Sequence, residues 1–251
     1  MGPADEYARH SALPLQHFGT IVIIGGGCYG SYYLRQLRRA SEHAALSYDR
    51  IVVVDRDTAC AVAGDIAADS ELHVHEWRAW LDGFLAGEAR EGDAIVPSPL
   101  MPHLLFEWLE QRARERWPER NVSVRTPSAV NGVPWQREGK GSTRYVSFAE
   151  WICPVNCVEP RSCPHTRGAR TWSMPAAIEA AVLAARDSVD PLDGPAIFRC
   201  VHRAYGVGMI DVGEVLDAEK LMVAAAARGR VNLLVGTMSH CHGALGILAV
   251  E

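Results

Sequence analysis

Hydrophobic and polar positions along this chain switch between two periods. Thr20-Ile-Val-Ile-Ile24 and Ile51-Val-Val-Val-Asp55 are short, unbroken apolar runs rich in β-branched residues, as expected of strands buried on both faces of a parallel sheet. Trp77, Trp80, Leu81, Phe84 and Leu85 recur instead at i, i+3, i+4, i+7 and i+8, which is one apolar face of a helix. The pattern predicts strands over 20–25, 51–55, 71–76, 93–97 and 121–126, with helices from Ser31 to Arg39, across 77–85 and over 102–117. In the last of these Leu104, Leu105, Trp108 and Leu109 face inward, and the outer face is rich in Arg and Glu.

Turn formers crowd residues 127–143 (Pro127, Asn131-Gly132, Pro134, Gly139, Gly141) and mark a boundary. Beyond it the pattern predicts strands over 144–152, 196–202, 231–237 and 245–250, and helices over 175–187 and 214–229. Residues 1–18 are polar, show no period and read as an arm. The expected organisation is an arm at 1–18, a first domain at 19–128, and residues 129–251 as a second α/β domain or an extension of the first sheet. Alternating strands and helices make the expected fold class α/β, with a doubly wound, mainly parallel sheet first.

The first strand runs directly into Gly25-Gly26-Gly27-Cys28-Tyr29-Gly30, a G-x-G-x-x-G turn that opens a helix, and the second strand ends on Asp55. This is the dinucleotide-binding arrangement. Gly25 permits the tight turn, Gly27 lets the backbone approach a pyrophosphate, and Gly30 allows close packing of helix and strand. The helix N-terminus at Cys28 and Tyr29 faces the phosphates. Asp55 accepts hydrogen bonds from a ribose 2′-hydroxyl and repels a 2′-phosphate, so NAD is expected over NADP, which Arg56 leaves open.

The second informative stretch is Cys153-Pro-Val-Asn-Cys157-Val-Glu-Pro-Arg-Ser-Cys163-Pro-His165, which holds three of the seven cysteines. The C-x3-C-x5-C spacing is only half of a paired zinc knuckle. Cysteine followed by proline, at Cys153 and Cys163, recurs in iron–sulfur loops. A thiolate-held metal centre is therefore expected, an iron–sulfur cluster ahead of zinc, with buried or redox thiols as the alternatives. Cys241 and His242 are candidates for a fourth ligand or a catalytic group, followed by His202. All three lie at or just past predicted strand ends, where ligands bind in open α/β sheets. Parallel orientation of the strands 144–152, 196–202 and 231–237 would bring these segments to one edge. Arg161, Arg167 and Arg170 flank the cysteine loop, and Arg167 and Arg170 are candidate contacts to an anionic substrate.

The first hundred or so residues resemble the NAD(P)-binding Rossmann superfamily. The strand, the glycine turn and Val52-Val-Val-Asp55-Arg-Asp57 look most like the nucleotide-binding regulatory domains of potassium uptake systems, the TrkA-N or KTN type. The resemblance implies a Rossmann-like sheet, phosphate contacts at Gly25, Gly27 and Gly30, and a ribose contact at Asp55. It ends near residue 127, and neither the cysteine loop nor His240-Cys241-His242 belongs to it.

Composition narrows the picture further. The chain has 251 residues and a formal net charge of −5, which argues against nucleic acid or an anionic membrane as the main partner. No apolar run approaches the roughly 18 residues of a membrane-spanning helix, and the N-terminus lacks a signal-peptide pattern. A cytoplasmic protein is expected, with a small-molecule substrate and a second copy of itself as an allowed partner. These features together predict an NAD-dependent oxidoreductase carrying a thiolate-ligated metal centre. A redox-responsive sensor and a metal-handling protein are the alternatives.

Overall fold

The computed structural model describes residues 16–149 and 157–251. In chain order the first elements are β1 (Gln16–Ile24), α1 (Cys28–Glu42), β2 (Leu46–Asp55), β3 (Ser70–Val74), α2 (Trp77–Gly87) and β4 (Ala94–Val96). There follow α3 (Leu104–Arg116), β5 (Val122–Arg125), β6 (Trp135–Glu138), β7 (Arg144–Ser147), the short pair β8 (Ser162–Cys163) and β9 (Gly168–Ala169), and α4 (Met174–Ala184). The chain ends with β10 (Gly194–Arg199), β11 (Val201–Ala204), β12 (Val207–Asp211), α5 (Val212–Ala226), β13 (Val231–Met238) and β14 (His242–Val250). The protein is a mixed α/β structure of two compact units. One holds the chain up to Ser98 together with His202–Val212, and the other holds Pro99–Val201 and Gly213–Glu251. The expected boundary at 128/129 thus differs from this division, which also returns an excursion of the late chain to the first unit.

In the first unit the sheet order is β11-β12-β4-β1-β2-β3. The β1–β2, β1–β4 and β2–β3 pairs are parallel, whereas β12 runs antiparallel to β4. Ile21, Val22, Ile23 and Ile51–Val54 are all at most 1% exposed, which is why these strands read as continuous apolar runs. Fully burying each such side chain stabilises by roughly 1.5–3 kcal/mol. Tyr33, Leu34, Leu37 and Ala40 of α1 complete this core with Val62 and, from the late excursion, Val207 and Met209. Gln16, His17 and Phe18, expected in an arm, begin β1 instead, with Phe18 buried in the same core. The rest of the expected arm lies outside the described residues.

The second unit has the order β10-β13-β14-β7-β6, with β5 also pairing to β14. Among the described residues only β10 and β13 are parallel neighbours in this sheet. β13–β14, β14–β7, β14–β5 and β7–β6 are antiparallel, so the sheet is mixed and not mainly parallel. The physical reason is connection length: the loops β6–β7 and β13–β14 are too short for a crossover and close hairpins. Strand 121–126, assigned from sequence to the first sheet, is β5 at the edge of β14. The predicted strand 196–202 is two strands, interrupted at Cys200, whose N–H bonds to Met238 O at 2.8 Å. On the inner face Met174, Ile178 and Val182 of α4 pack with Val146, Leu234, Met238 and Leu245.

Candidate functional site

The glycine turn of the first unit is built as its residue order requires. Gly25 adopts φ +92°, and its N–H bonds to Val54 O at 2.8 Å, locking the end of β1 to β2. Gly30 sits against that turn: a Cβ there would lie 2.0 Å from Gly25 O. Gly27, by contrast, is exposed, and a Cβ there would meet no heavy atom within 4 Å. Gly27 is also the N-cap of α1, with no side-chain cap and no acidic residue in the first turn. The first N–H groups of this helix therefore point toward an electropositive, uncapped end. Cys28 is exposed at the same end, and Tyr29 packs partly against the core.

Asp55 is drawn into this turn. Its Oδ2 accepts the Gly26 N–H at 2.6 Å and its Oδ1 accepts the Asp57 N–H at 3.0 Å. A carboxylate has about four lone-pair directions, so each oxygen retains acceptor capacity. Cys60, which sequence reading passed over, closes the turn from behind: its Sγ would be 2.5 Å from a Cβ on Gly26. Val62 N–H bonds to Gly26 O at 2.9 Å and fixes the same loop. Arg56 stacks over Trp77, 4.9 Å from the ring centre, and reaches Glu76 at 3.4 Å.

The second unit gathers the soft-ligand residues. β10 is parallel to β13, and β7, two antiparallel steps away across β14, shares that direction. The C-terminal ends of β7, β10 and β13 thus lie on one edge, with Arg199 and not His202 ending β10 there. The hairpin between β13 and β14 supplies the hub of that edge. Ser239 N–H bonds to His242 O at 2.8 Å, leaving His240 and Cys241 at the tip. The tip is pinned by three segments: Phe148 N–H bonds to Cys241 O at 3.0 Å, Met174 N–H to His240 O at 2.9 Å, and His240 N–H to Glu159 Oε1 at 3.0 Å.

Around this tip the thiols sit in distinct environments. Cys241 is buried, and the Trp172 indole N–H donates to its Sγ at 3.2 Å. Burial pushes the Cys241 thiol up, with Glu159 and Cys157 adding to the rise and the Trp172 N–H and Arg170 opposing it. Cys163, also buried, begins the β8–β9 turn. Burial is the strongest influence on it and opposes ionisation. Hydrogen bonds from Thr166 and the His165 N–H, with the Arg170 charge, nevertheless hold this thiol below its ordinary value. Cys200 is pushed up to about 12 by burial and by Glu159. Arg170 is anchored by its own N–H to Arg161 O at 2.7 Å, and its Nε is buried with no hydrogen-bond partner among the described residues. Arg167 is exposed in the β8–β9 turn at φ +55°.

Cys157, Cys163, Arg170, Cys241 and His242 therefore share one unit and one edge. Cys153 lies outside the described residues. Among the described residues no group of three or more His, Cys, Asp and Glu side chains is arranged to hold a metal ion. His202 is not part of this edge: the break at Cys200 sends it onto β11, beside β12 in the sheet of the first unit. Ser147, Glu159 and Trp172 were missed by sequence reading. Glu159 lies inside the cysteine loop and was legible there; Ser147 and Trp172 are defined only by register and packing.

Residues 105–251 match the model of a family described as "Uncharacterized protein, C-terminal domain" (AF_1314_C), and the chain belongs to that family. The matched segment contains the whole cysteine edge. No curated protein and no solved structure matches the chain. Among the described residues no helix is long and apolar enough to cross a membrane.

Proposed function

We propose that the protein is an NAD-dependent oxidoreductase, with the nucleotide held at Gly25–Gly30 and Asp55 and a soft metal centre held at the cysteine edge of the second unit. The observation that carries the nucleotide reading is the contrast between two glycines. Gly30 is filled by its own backbone neighbours, whereas Gly27 faces open space at an uncapped helix N-terminus. A pyrophosphate approaching Gly27 would meet backbone N–H donors and the favourable end of the helix dipole. The parallel order β3-β2-β1-β4 supports a doubly wound, Rossmann-like reading of this sheet. In such sheets ligands bind at the strand carboxyl ends where the order reverses, here between β1 and β4.

Asp55 would accept ribose hydroxyls and oppose a 2′-phosphate, which favours NAD over NADP. Arg56, stacked on Trp77 and paired with Glu76, is less suited to hold a 2′-phosphate. The metal ligands in this reading are Cys153, Cys157, Cys163 and Cys241, an iron–sulfur cluster ahead of zinc, with Arg170 and Arg167 holding an anionic small-molecule substrate. Cys163 fits thiolate ligation, since N–H donors and a guanidinium already favour its anion. Bound NAD supplies hydride chemistry; the chain's own residues bind and orient it and set the charge around the substrate. The working compartment is the cytoplasm, where such thiols stay reduced.

A second reading, a redox-responsive sensor, is favoured by Cys28 and Cys60. One is exposed on the first residue of α1 and the other lies directly behind Gly26, so thiol chemistry at either would alter the nucleotide turn. The test is calorimetric titration with NAD(H) and NADP(H), joined to iron, zinc and sulfide analysis of anaerobically purified protein and to NADH oxidation with artificial acceptors. Binding without turnover selects the sensor. No binding of either nucleotide defeats the assignment of the first unit.

A further inference from the structure

β3 ends the sheet of the first unit: it pairs with β2 on one side, and among the described residues no strand pairs with its other side. The parallel register fixes which backbone groups face outward. Ile51 N–H bonds to Asp69 O at 3.0 Å and His75 N–H to Asp55 O at 2.8 Å, so residues 69, 71, 73 and 75 turn their polar groups toward β2. Ser70, Leu72 and Val74 turn theirs outward. The Ser70 N–H is taken by Ala67 O at 3.0 Å, whereas those of Leu72 and Val74 have no partner among the described residues. Such an edge is a template for another strand, and proteins commonly block it with proline, lysine or a bulge. β3 reads Ser70-Glu-Leu-His-Val74, with neither proline nor lysine, and Val74 is 45% exposed. Glu71 and His73 share the opposite face, with 54% and 38% of their side chains exposed, and lie 3.0 Å apart. The Trp80 indole only donates, and it reaches His73 Nδ1 at 2.9 Å. Neutral His73 therefore carries its proton on Nε2, toward Glu71.

We propose that this edge is a homodimer interface, in which β3 pairs antiparallel with β3 of a second copy about a two-fold axis through Leu72. An outward-facing residue must lie opposite an outward-facing one, which leaves few registers. An axis through Glu71 sets the two Glu71 carboxylates directly opposite each other, and an axis through His73 sets imidazole against imidazole. The axis through Leu72 pairs all 5 residues of the strand and sets each Glu71 opposite His73 of the second copy. Cross-strand pairs of opposite charge stabilise and like charges destabilise, so the Leu72 register is the favoured one. Glu71 and His73 then occupy non-hydrogen-bonded positions, where opposing side chains approach most closely, and each Nε2–H is shared between its own carboxylate and the opposing one. Leu72 exchanges both backbone bonds with its counterpart, and each Val74 N–H reaches Ser70 O of the second copy. The exposed Val74 side chain lies diagonally against Leu72 of the second copy. Such a contact is isologous, closes on itself and leaves no open edge at β3. It depends on neither the nucleotide nor the metal assignment.

The test is sedimentation equilibrium of the full chain across the micromolar range. Wild type should show a monomer–dimer equilibrium, and a monomer at every concentration overturns the proposal. Val74→Pro deletes one outward N–H and leaves every β2–β3 bond in place, because Val74 donates none of them. Its dimer should dissociate at least about tenfold more readily, with the circular dichroism of wild type retained. An unchanged dimer constant overturns the assignment to this edge. Oxidative cross-linking, mapped by mass spectrometry, reads the register. Leu72→Cys places its thiols across the axis at a Cα separation of about 5.5 Å, within disulfide reach, and should give a dimer linked through position 72. Val74→Cys sets its thiols roughly 13 Å apart along the strand and should give no link between the two copies of position 74. Cross-linking of Val74→Cys equal to or above that of Leu72→Cys overturns the register, and with it the pairing of Glu71 with His73. If Val74→Pro fails to fold, the two cysteine variants still decide.

Discussion

Replacing Gly30 and Gly27 separately with alanine divides the glycine turn into its structural and its binding half. At Gly30 the new Cβ would lie 2.0 Å from Gly25 O and 3.0 Å from Gly25 C. Ordinary contact needs roughly 3.5 Å, so α1 would have to move away from the end of β1 by about 1.5 Å. Both groups in the clash are backbone, and Gly25 is tied to Val54 at 2.8 Å, so neither gives way easily. The cost should reach the upper end of the overpacking range, about 3 kcal/mol. For a chain of this size that is a fall in Tm of roughly 6–12 °C. Gly27→Ala meets nothing within 4 Å and keeps an allowed φ of −72°, so its Tm should stay within about 3 °C of wild type. Its methyl group, however, occupies the space through which a pyrophosphate reaches the helix N-terminus, and NAD affinity should fall at least about tenfold, or 1.4 kcal/mol. Thermal unfolding and calorimetric NAD titration of both variants form the assay. A Gly30→Ala protein as stable as wild type refutes the packing argument, and a Gly27→Ala protein with wild-type NAD affinity refutes the binding argument.

Asp55→Ala should weaken NAD and relax discrimination against NADP, and should also destabilise by about 1–3 kcal/mol by stripping the Gly26 and Asp57 N–H groups of their acceptor; parallel titrations and urea unfolding check both effects. Tyr48 is pushed up to about 12, first by burial and then by Asp69, to which its hydroxyl donates at 3.1 Å. Its folded pKa exceeds the unfolded value near 10, so the stability it contributes is fully present below pH 10 and is lost as pH rises toward 12. Tyr48→Phe should flatten that alkaline decline, and an ultraviolet phenolate titration should lose its latest-ionising step; an unchanged titration rejects the assignment. Alkylation mapped by mass spectrometry should find exposed Cys28 modified early and Cys200, held near 12, modified late. NAD should protect Cys28, and equal labelling with and without nucleotide would count against phosphate binding at its helix.

Local elements whose pattern admits one solution were legible in the residue order. The runs Ile21–Ile24 and Ile51–Val54 had to be buried strands, because unbroken apolar runs have no polar face to present to water. The glycine spacing likewise announced its turn, since Gly30 is legible as a close approach wherever a strand feeds a helix. The cysteine loop was visible as a cluster, whereas the shared direction of β7, β10 and β13 came from β14 lying antiparallel between β13 and β7. Strand pairing was not legible there and came with folding. Val122–Arg125 reads the same whether it ends the first sheet or flanks β14, because an alternating strand records burial and not its neighbour. The break at Cys200 sent His202 to the first unit, although no turn signal in the sequence separates Phe198-Arg-Cys-Val-His202. Ser147 lies 95 residues from His242 and meets it only through antiparallel register. Period and composition are properties of a segment, whereas pairing and hydrogen-bond donation are properties of neighbours, and the fold alone supplies the neighbours.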